Sequence, residues 1–354
     1  VGGLVALLAL TTTPAAGSAP PAGVPVLYYT SNHPAALKWV AYSTSGDALR
    51  IGSIHEVTPL PAADGLALAP DGNLIVGGGD TGKLFKVDPA TGRFQSVDAY
   101  PGARAAFHVT VSPDGSYALT AGLPGQLAKV PLRPFATGAA LPLKGDDRAV
   151  TTVGFTPAGA FYTASDGRGS GNFGTVDLTT LSTKRTLADL RGAHGIAYDP
   201  STKDLFLVGS FAVVQIDPLA LTSPSPDHAT VEVSSRTIGG TALDQGVADG
   251  QGHLFVASNT GEVWFLDYSS SGLVGAGKTV KASHVFLDTN LDDLLLSNPS
   301  GATASSAVSG PASKSKPVLL AVGGVVVVAA AAAFVIRLRR KRNTGRLGRG
   351  DAAT

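Results

Sequence analysis

An apolar strand, a Pro-Asp-Gly type turn and a second apolar strand recur as one phrase through this chain about every 44 residues. The phrase is clearest at Gly65–Val76 and again at His108–Leu119, and further copies begin near Thr152, Gly195 and Gly246, with a worn sixth near His284. A period of this length with strands and turns in each unit is the mark of a repeat architecture, in which no unit can bury its apolar surface alone. Registers agree across the early copies: Gly72 to Gly115 is 43 residues and Gly115 to Gly159 is 44. The last two steps, measured to His284, are uneven at 51 and 38.

Each unit parses into strands separated by Gly, Pro, Asp and Asn. In the clearest copy Leu66–Ala69 reads as the innermost strand, Asn73–Gly77 as the second, Lys83–Asp88 as the third and Arg93–Ala99 as the outer one. Four strands per unit is a propeller blade. The expected fold is therefore all-β, a β-propeller with six blades favoured over seven. The sixth unit, His284–Leu287 followed by Asp293–Leu296, stops before it has outer strands, and Arg50–Val57 has the pattern of the missing piece. Pairing the two chain ends in one blade would hide both sheet edges. Val24–Thr44, with Tyr28, Tyr29 and Trp39, is left over as another closing strand or part of a seventh blade.

Composition fits one large all-β domain with appendages: 354 residues carry 44 Gly and 23 Pro with 6% aromatics. Cysteine is absent, which excludes disulfides, thiolate metal sites and a cysteine nucleophile. The net charge of +1 hides an asymmetry. Seven basic residues lie between Arg337 and Arg349; setting these and Asp351 apart from the 27 basic and 26 acidic residues leaves 20 basic against 25 acidic. A mildly acidic domain lacks the clustered positive charge that phosphate backbones require, so no nucleic-acid partner is expected.

The ends of the sequence supply an address. Residues 1–23 read as a signal-peptide-like segment, with an apolar Gly2–Leu10 core and a small-residue region between Ala15 and Ala22 for cleavage. Residues 24–297 form the propeller, and the Ser-, Gly-, Ala- and Pro-rich residues 298–316 read as a flexible stalk. Residues 317–336 read as a transmembrane helix: Val318–Ile336 carries no charge and would extend about 28 Å as a helix, near the thickness of the hydrocarbon core. The basic residues of 337–354 then place the C-terminus in the cytoplasm and the propeller outside, as a single-pass protein of the cell membrane.

The phrases Gly65–Val76, His194–Pro200 and Gly246–Asp267 resemble those of six-bladed propellers of the NHL, regucalcin-like gluconolactonase and streptogramin-lyase type, over about Ile51–Leu296. The same fold hosts binders, lactonases and lyases, so function has to be argued from a site. In a propeller the N-terminal ends of the inner strands converge on the central channel. Aligning the units puts Asp64, His108 or Phe107, Thr151 or Thr152, His194, Gln245, and His284 or Ser283 around that mouth. Histidines with one aspartate there suit a divalent metal in the channel. The gluconolactonase resemblance implies instead a carboxylate and amide set, which this alignment does not supply because Asp64 is its one acid. The streptogramin-lyase resemblance implies His194 as general base beside a bound magnesium, a role suited to an imidazole titrating near neutrality.

Two tempting motifs read as structure. Gly77–Lys83 has phosphate-loop spacing, but Leu84 stands where Ser or Thr should hold magnesium and no helix follows, so it reads as a turn between strands. Asp71 and Asp114 occupy turn positions that favour Asp for its backbone hydrogen bonds. Asp166–Asn172 reads as a Gly-rich loop between strands. The expected function is a membrane-anchored extracytoplasmic propeller that binds a small-molecule ligand or a surface protein at its face; the alternative is a metal-dependent lactonase or lyase working in the channel.

Overall fold

The computed structural model describes residues 19–122, 126–165, 170–191, 193–210, 212–216, 231–234, 242–268 and 281–297. The expected stalk, transmembrane segment and basic tail, most of the signal-like segment, and Asp166 to Gly169 of the Gly-rich loop lie outside the described residues. Among the described residues no helix is long and apolar enough to cross a membrane.

The chain enters as β1 (Val26–Asn32), β2 (Ala35–Ser45) and β3 (Ala48–Pro59), three antiparallel strands that lack an inner partner. Blade one follows as β4 (Leu66–Leu68), β5 (Leu74–Gly77), β6 (Lys83–Val87) and β7 (Phe94–Asp98), within a residue or two of the bounds read from the sequence. Blade two is β8 (Val109–Val111), β9 (Tyr117–Ala121), β10 (Leu127–Pro131) and β11 (Ala139–Leu141). Blade three takes β12 (Lys144–Gly145), β13 (Val150–Thr156), β14 (Gly159–Ser165), β15 (Ser170–Asp177) and β16 (Ser182–Arg191). Here β12 pairs in parallel with β16 and covers the outer edge of the blade.

Blade four is β17 (Ala193–Tyr198), β18 (Leu205–Gly209), β19 (Ala212–Ile216) and β20 (Val231–Ser234), and blade five is β21 (Leu243–Ala248), β22 (His253–Ser258), β23 (Glu262–Asp267) and β24 (Lys281–Phe286). The last strand, β25 (Leu291–Ser297), pairs with β1 and supplies the inner strand that the first three strands lacked. The ring therefore has six blades, and Val24–Thr44 belongs to the sixth rather than to a seventh. His284–Leu287 is not the sixth inner strand, as the repeat alignment had it. It belongs to the outer strand of blade five and the turn after it, and the inner strand begins at Leu291.

The sheets stand face to face, so every blade buries both of its faces. Six apolar clusters result, one at each junction between neighbours. Along β1, Val26 and Tyr28 pack with Leu66, Leu74 and Phe85 of blade one, while Leu27 and Tyr29 pack with Phe255 and Phe265 of blade five. This two-sided burial explains the continuous apolar runs of the middle strands, since alternation would serve a sheet with one wet face. Each fully buried Phe or Leu at such a junction contributes about 2 kcal/mol.

The repeated turn is also explained by contacts between blades. Gly72 and Gly115 take φ of +84° and +67°, which L side chains rarely adopt. A Cβ at Gly115 would lie 2.1 Å from Cγ of Pro70, in the turn of the preceding blade, and one at Gly250 would lie 3.5 Å from Cγ of Pro200. At these two junctions the proline of one turn rests on the glycine of the next, while Gly159 of blade three has open space around it. As expected, the turn aspartates serve the backbone: Asp71 Oδ1 accepts from Asn73 N at 3.2 Å and Asp114 Oδ1 from Ser116 N at 3.0 Å.

Gly72 has open space around its Cα and Gly115 does not, which gives a test of the turn-on-turn contact. Gly72→Ala should cost about 1 kcal/mol for its backbone conformation alone, and Gly115→Ala a further 1–3 kcal/mol or so for the clash with Pro70, measured by denaturant unfolding. Equal losses would mean that the turns do not bear on one another.

Candidate functional site

Each inner strand carries one residue more than its neighbour at the same end. In β13 the register jumps from Val150↔Ala164 to Thr152↔Thr163, and in β17 from Ala193↔Gly209 to Gly195↔Val208, leaving Thr151 and His194 as the extra residues. The shift falls between Leu243 and Gly246 in β21, and between Tyr29 and Ser31 opposite Leu291 and Leu294 of β25. Before β4, Asp64 N and Gly65 O both bond to Gly77, and before β8 Phe107 N bonds to Ala121 O while Val109 already pairs with Thr120. A β-bulge bends its strand and re-aims a side chain. Six of them at one end gather Asp64, His108, Thr151, His194, Asp244 with Gln245, and Asp292 with Asp293 around the axis.

Glycines beside the bulges let the inner strands approach closely. A Cβ on Gly65 would lie 2.3 Å from the Phe107 carbonyl oxygen, to which Gly65 N donates at 3.1 Å. Side chains complete this belt of contacts. Thr163 Oγ1 donates to the His194 carbonyl at 2.8 Å, Gln245 Nε2 to the Leu294 carbonyl at 2.9 Å, and Thr30 Oγ1 to the Asp64 carbonyl at 2.5 Å. Asp293 fastens the last strand to the first blade, accepting from Leu66 N at 2.5 Å and from Leu294 N at 2.6 Å.

At the centre three carboxyls meet. Asp292, from the closing strand, lies within electrostatic reach of both Asp64 and Asp244. All three aspartates are buried, and Asp64 Oδ1, Asp244 Oδ2 and Asp292 Oδ2 have no partner. Burial pushes the Asp292 carboxyl up to about 6. Asp64 and Asp244 are driven well above the usual carboxylate range, by burial first and by the charge of Asp292 next. Burial raises Asp293 too, with its two N–H donors pulling the other way.

Two imidazoles flank the triad. His108 Nδ1 lies 3.9 Å from Asp64 Oδ1 and His194 Nδ1 lies 3.8 Å from Asp244 Oδ1, both beyond hydrogen-bonding distance. Burial depresses both, His194 to about 4 and His108 well below its ordinary value with a further push from His194. Both rings are therefore neutral at physiological pH. Between blades two and three a cleft too narrow to admit water is lined by His108, Thr110, Thr120 and Thr151 among others, and the hydroxyls of Thr110 and Thr120 have no hydrogen-bond partner.

Of the residues expected at the mouth, Asp64, His108, Thr151, His194 and Gln245 lie on the bulges. His284 does not. It sits on β24 at the outside of blade five, where its ring stacks on Trp264 at 4.3 Å between centroids. Its place on the ring is taken by Asp292 and Asp293, and blade five contributes Asp244 beside Gln245, so Asp64 is not the ring's one acid. The short last step of 38 residues was the signal for the missed pair, since the inner strand lies a few residues beyond His284. For the expected divalent metal, no group of three or more His, Asp or Glu among the described residues is disposed to hold an ion.

No protein-family model and no curated protein matches the chain. Among solved structures, regucalcin of Agrobacterium tumefaciens, described as a calcium-binding protein, is similar over 58% of this chain and 71% of its own, at 18% identity and a TM-score of 0.45. At that level the likeness says nothing about what this chain binds.

The imidazole of His194 gives a direct reading of the site's burial. Its titration, followed by NMR of the ring protons, should centre near pH 4; a midpoint near the ordinary value of about 6.5 would mean that water reaches the ring.

Proposed function

We propose that the chain is a membrane-anchored binding module whose propeller stands outside the cytoplasm and engages a surface protein through the loops at the bulged end of the ring. The observation that carries this reading is that the axis itself is closed. Asp64, His108, His194, Asp244 and Asp292 are each at most 5% exposed, and their end of the ring offers solvent a rim of loops instead. Gly78–Gly82 belongs to this rim as the turn from β5 to β6, and Asp80 stands exposed in it. The small-molecule alternative needs an open pocket, which a sealed axis does not provide. The lactonase or lyase alternative needs a base that meets substrate, and His194 at 3% exposure faces Asp244 rather than solvent.

The anchoring part of the proposal rests on the uncharged Val318–Ile336 and the basic residues that follow. Absence of cysteine makes topology easy to test. Ile54→Cys, on an exposed position of β3, should react with a membrane-impermeant maleimide on intact cells, and Arg349→Cys should react only after permeabilisation. The opposite labelling, or labelling of neither until lysis, would refute the orientation.

The binding face has its own test. A photo-crosslinking residue at Asp80 should capture a protein partner on intact cells, while one at Thr91, in the β6 to β7 turn at the other end of the ring, should not. Equal capture from both ends, or turnover of a lactone by the purified chain without any partner, would overturn the reading.

A further inference from the structure

The two ends of the propeller sequence lie side by side. Val26, which opens β1, pairs with Ser297, which ends β25, and both stand at the end of the ring that carries the Pro-Asp-Gly turns. From the bulged end, where Leu291 pairs with Ser31, β25 runs directly to that exit. A partner held at the bulged end and an anchor following Ser297 would therefore pull on the ring along β25. We propose that β25 is a shear clamp, which lets the propeller carry tension between the membrane and a partner fixed to a second surface, since a freely diffusing partner transmits no tension. This use of the clamp rests on the function proposed above, whereas the clamp itself belongs to the ring and needs neither partner nor membrane.

The direction of the pull decides how the strand is loaded. Ladder hydrogen bonds of an antiparallel pair stand perpendicular to the strands. Drawn lengthwise, β25 puts its five paired positions, Val26↔Ser297, Leu27↔Leu296, Tyr28↔Leu295, Tyr29↔Leu294 and Ser31↔Leu291, under load together. Peeled from β1 at Ser297, the same pairs open one after another. Lengthwise sliding also drags Leu295 out of its junction with blade one and Leu294 out of its junction with blade five.

Side chains near the bulge add ties that a lengthwise pull has to break. Asp293 accepts from Leu66 N of blade one at 2.5 Å, and its own N–H donates to Thr30 Oγ1 at 3.1 Å. That hydroxyl donates onward to the Asp64 carbonyl at 2.5 Å. On the other side Gln245 Nε2 of blade five donates to the Leu294 carbonyl at 2.9 Å. The strand is thus fastened to β1, to blade one and to blade five at its bulged end. A peel that starts at Ser297 meets Leu296 and Leu295 before it reaches any of these ties.

The chain has no cysteine, so pulling handles can be placed where they are wanted. Single-molecule force spectroscopy on the full chain in detergent compares two pairs of handles. Asp80→Cys with Ser297→Cys loads β25 lengthwise, from the exposed turn at the bulged end to the exit, and Ala22→Cys with Ser297→Cys peels β25 from β1. At equal loading rate the lengthwise rupture force should exceed the peeling force about two-fold or more, because the paired positions and the ties resist at once. Asp293→Ala should lower the lengthwise force and leave the peeling force unchanged, and Gln245→Ala serves the same purpose should Asp293→Ala not fold. Equal forces in the two directions would overturn the clamp. So would a variant that lowers both forces alike, because the ties would then support folding and not the direction of load. Both arms use the chain alone, so their outcome is independent of the labelling and capture results that test the proposed function.

Discussion

Everything in this fold depends on burying both faces of each blade. A four-stranded sheet with two apolar faces is insoluble alone, and it becomes stable only between two neighbours of the same kind. A linear stack would leave two such faces to water. The ring removes them, and among the described residues each of the six blades meets both neighbours across an apolar junction. The condition for this economy is that the last strand reach the first three, because without β25 the inner edge of β1 and two of the junctions would open together.

That condition concentrates polar chemistry at the closing seam. Asp288, in the turn before β25, accepts from Lys38 Nζ at 2.7 Å and from the Tyr29 hydroxyl at 3.1 Å. Asp293 takes two backbone N–H groups, and Asp292 beside it lies within electrostatic reach of the acids on either side. Comparable fixing occurs where blade three wraps its own edge: Asp147 accepts from Tyr162, Asn172 and Arg185, and the Arg185 guanidinium helps hold that carboxyl below the usual range against the cost of burial. Asp147 has a cation beside it, whereas Asp64, Asp244 and Asp292 are flanked by other acids, neutral rings and amides among the described residues.

Much of the architecture was legible because the turn phrase is locally determined. A positive-φ glycine after Asp recurs at Gly72, Gly115 and Gly250, and at the last two a proline of the preceding turn packs on it, so the phrase repeats in sequence because the turn repeats in space. The strands of blade one were readable for the same reason. The sixth blade was not, because its inner strand β25 and second strand β1 come from opposite ends of the propeller sequence, so no Pro-Asp-Gly turn joins them. A repeat alignment extended by its own period therefore settled on His284, whose strand has the right apolar neighbours but pairs on the outside of blade five. The site suffered directly from this error. Asp292 and Asp293 stood beyond the assumed strand, and Asp244 was passed over for Gln245 because a bulge lets either residue claim the ring position.

The most direct test of a ring closed by its last strand is native-state hydrogen exchange at pH 6, read at β25 and β1 against the inner strand β21. A closed ring predicts that the amides of Leu294 and Leu27 exchange only through global unfolding, with the same free energy as those of Val247. Exchange of β25 through a separate, lower-energy opening while β21 stays protected would contradict it.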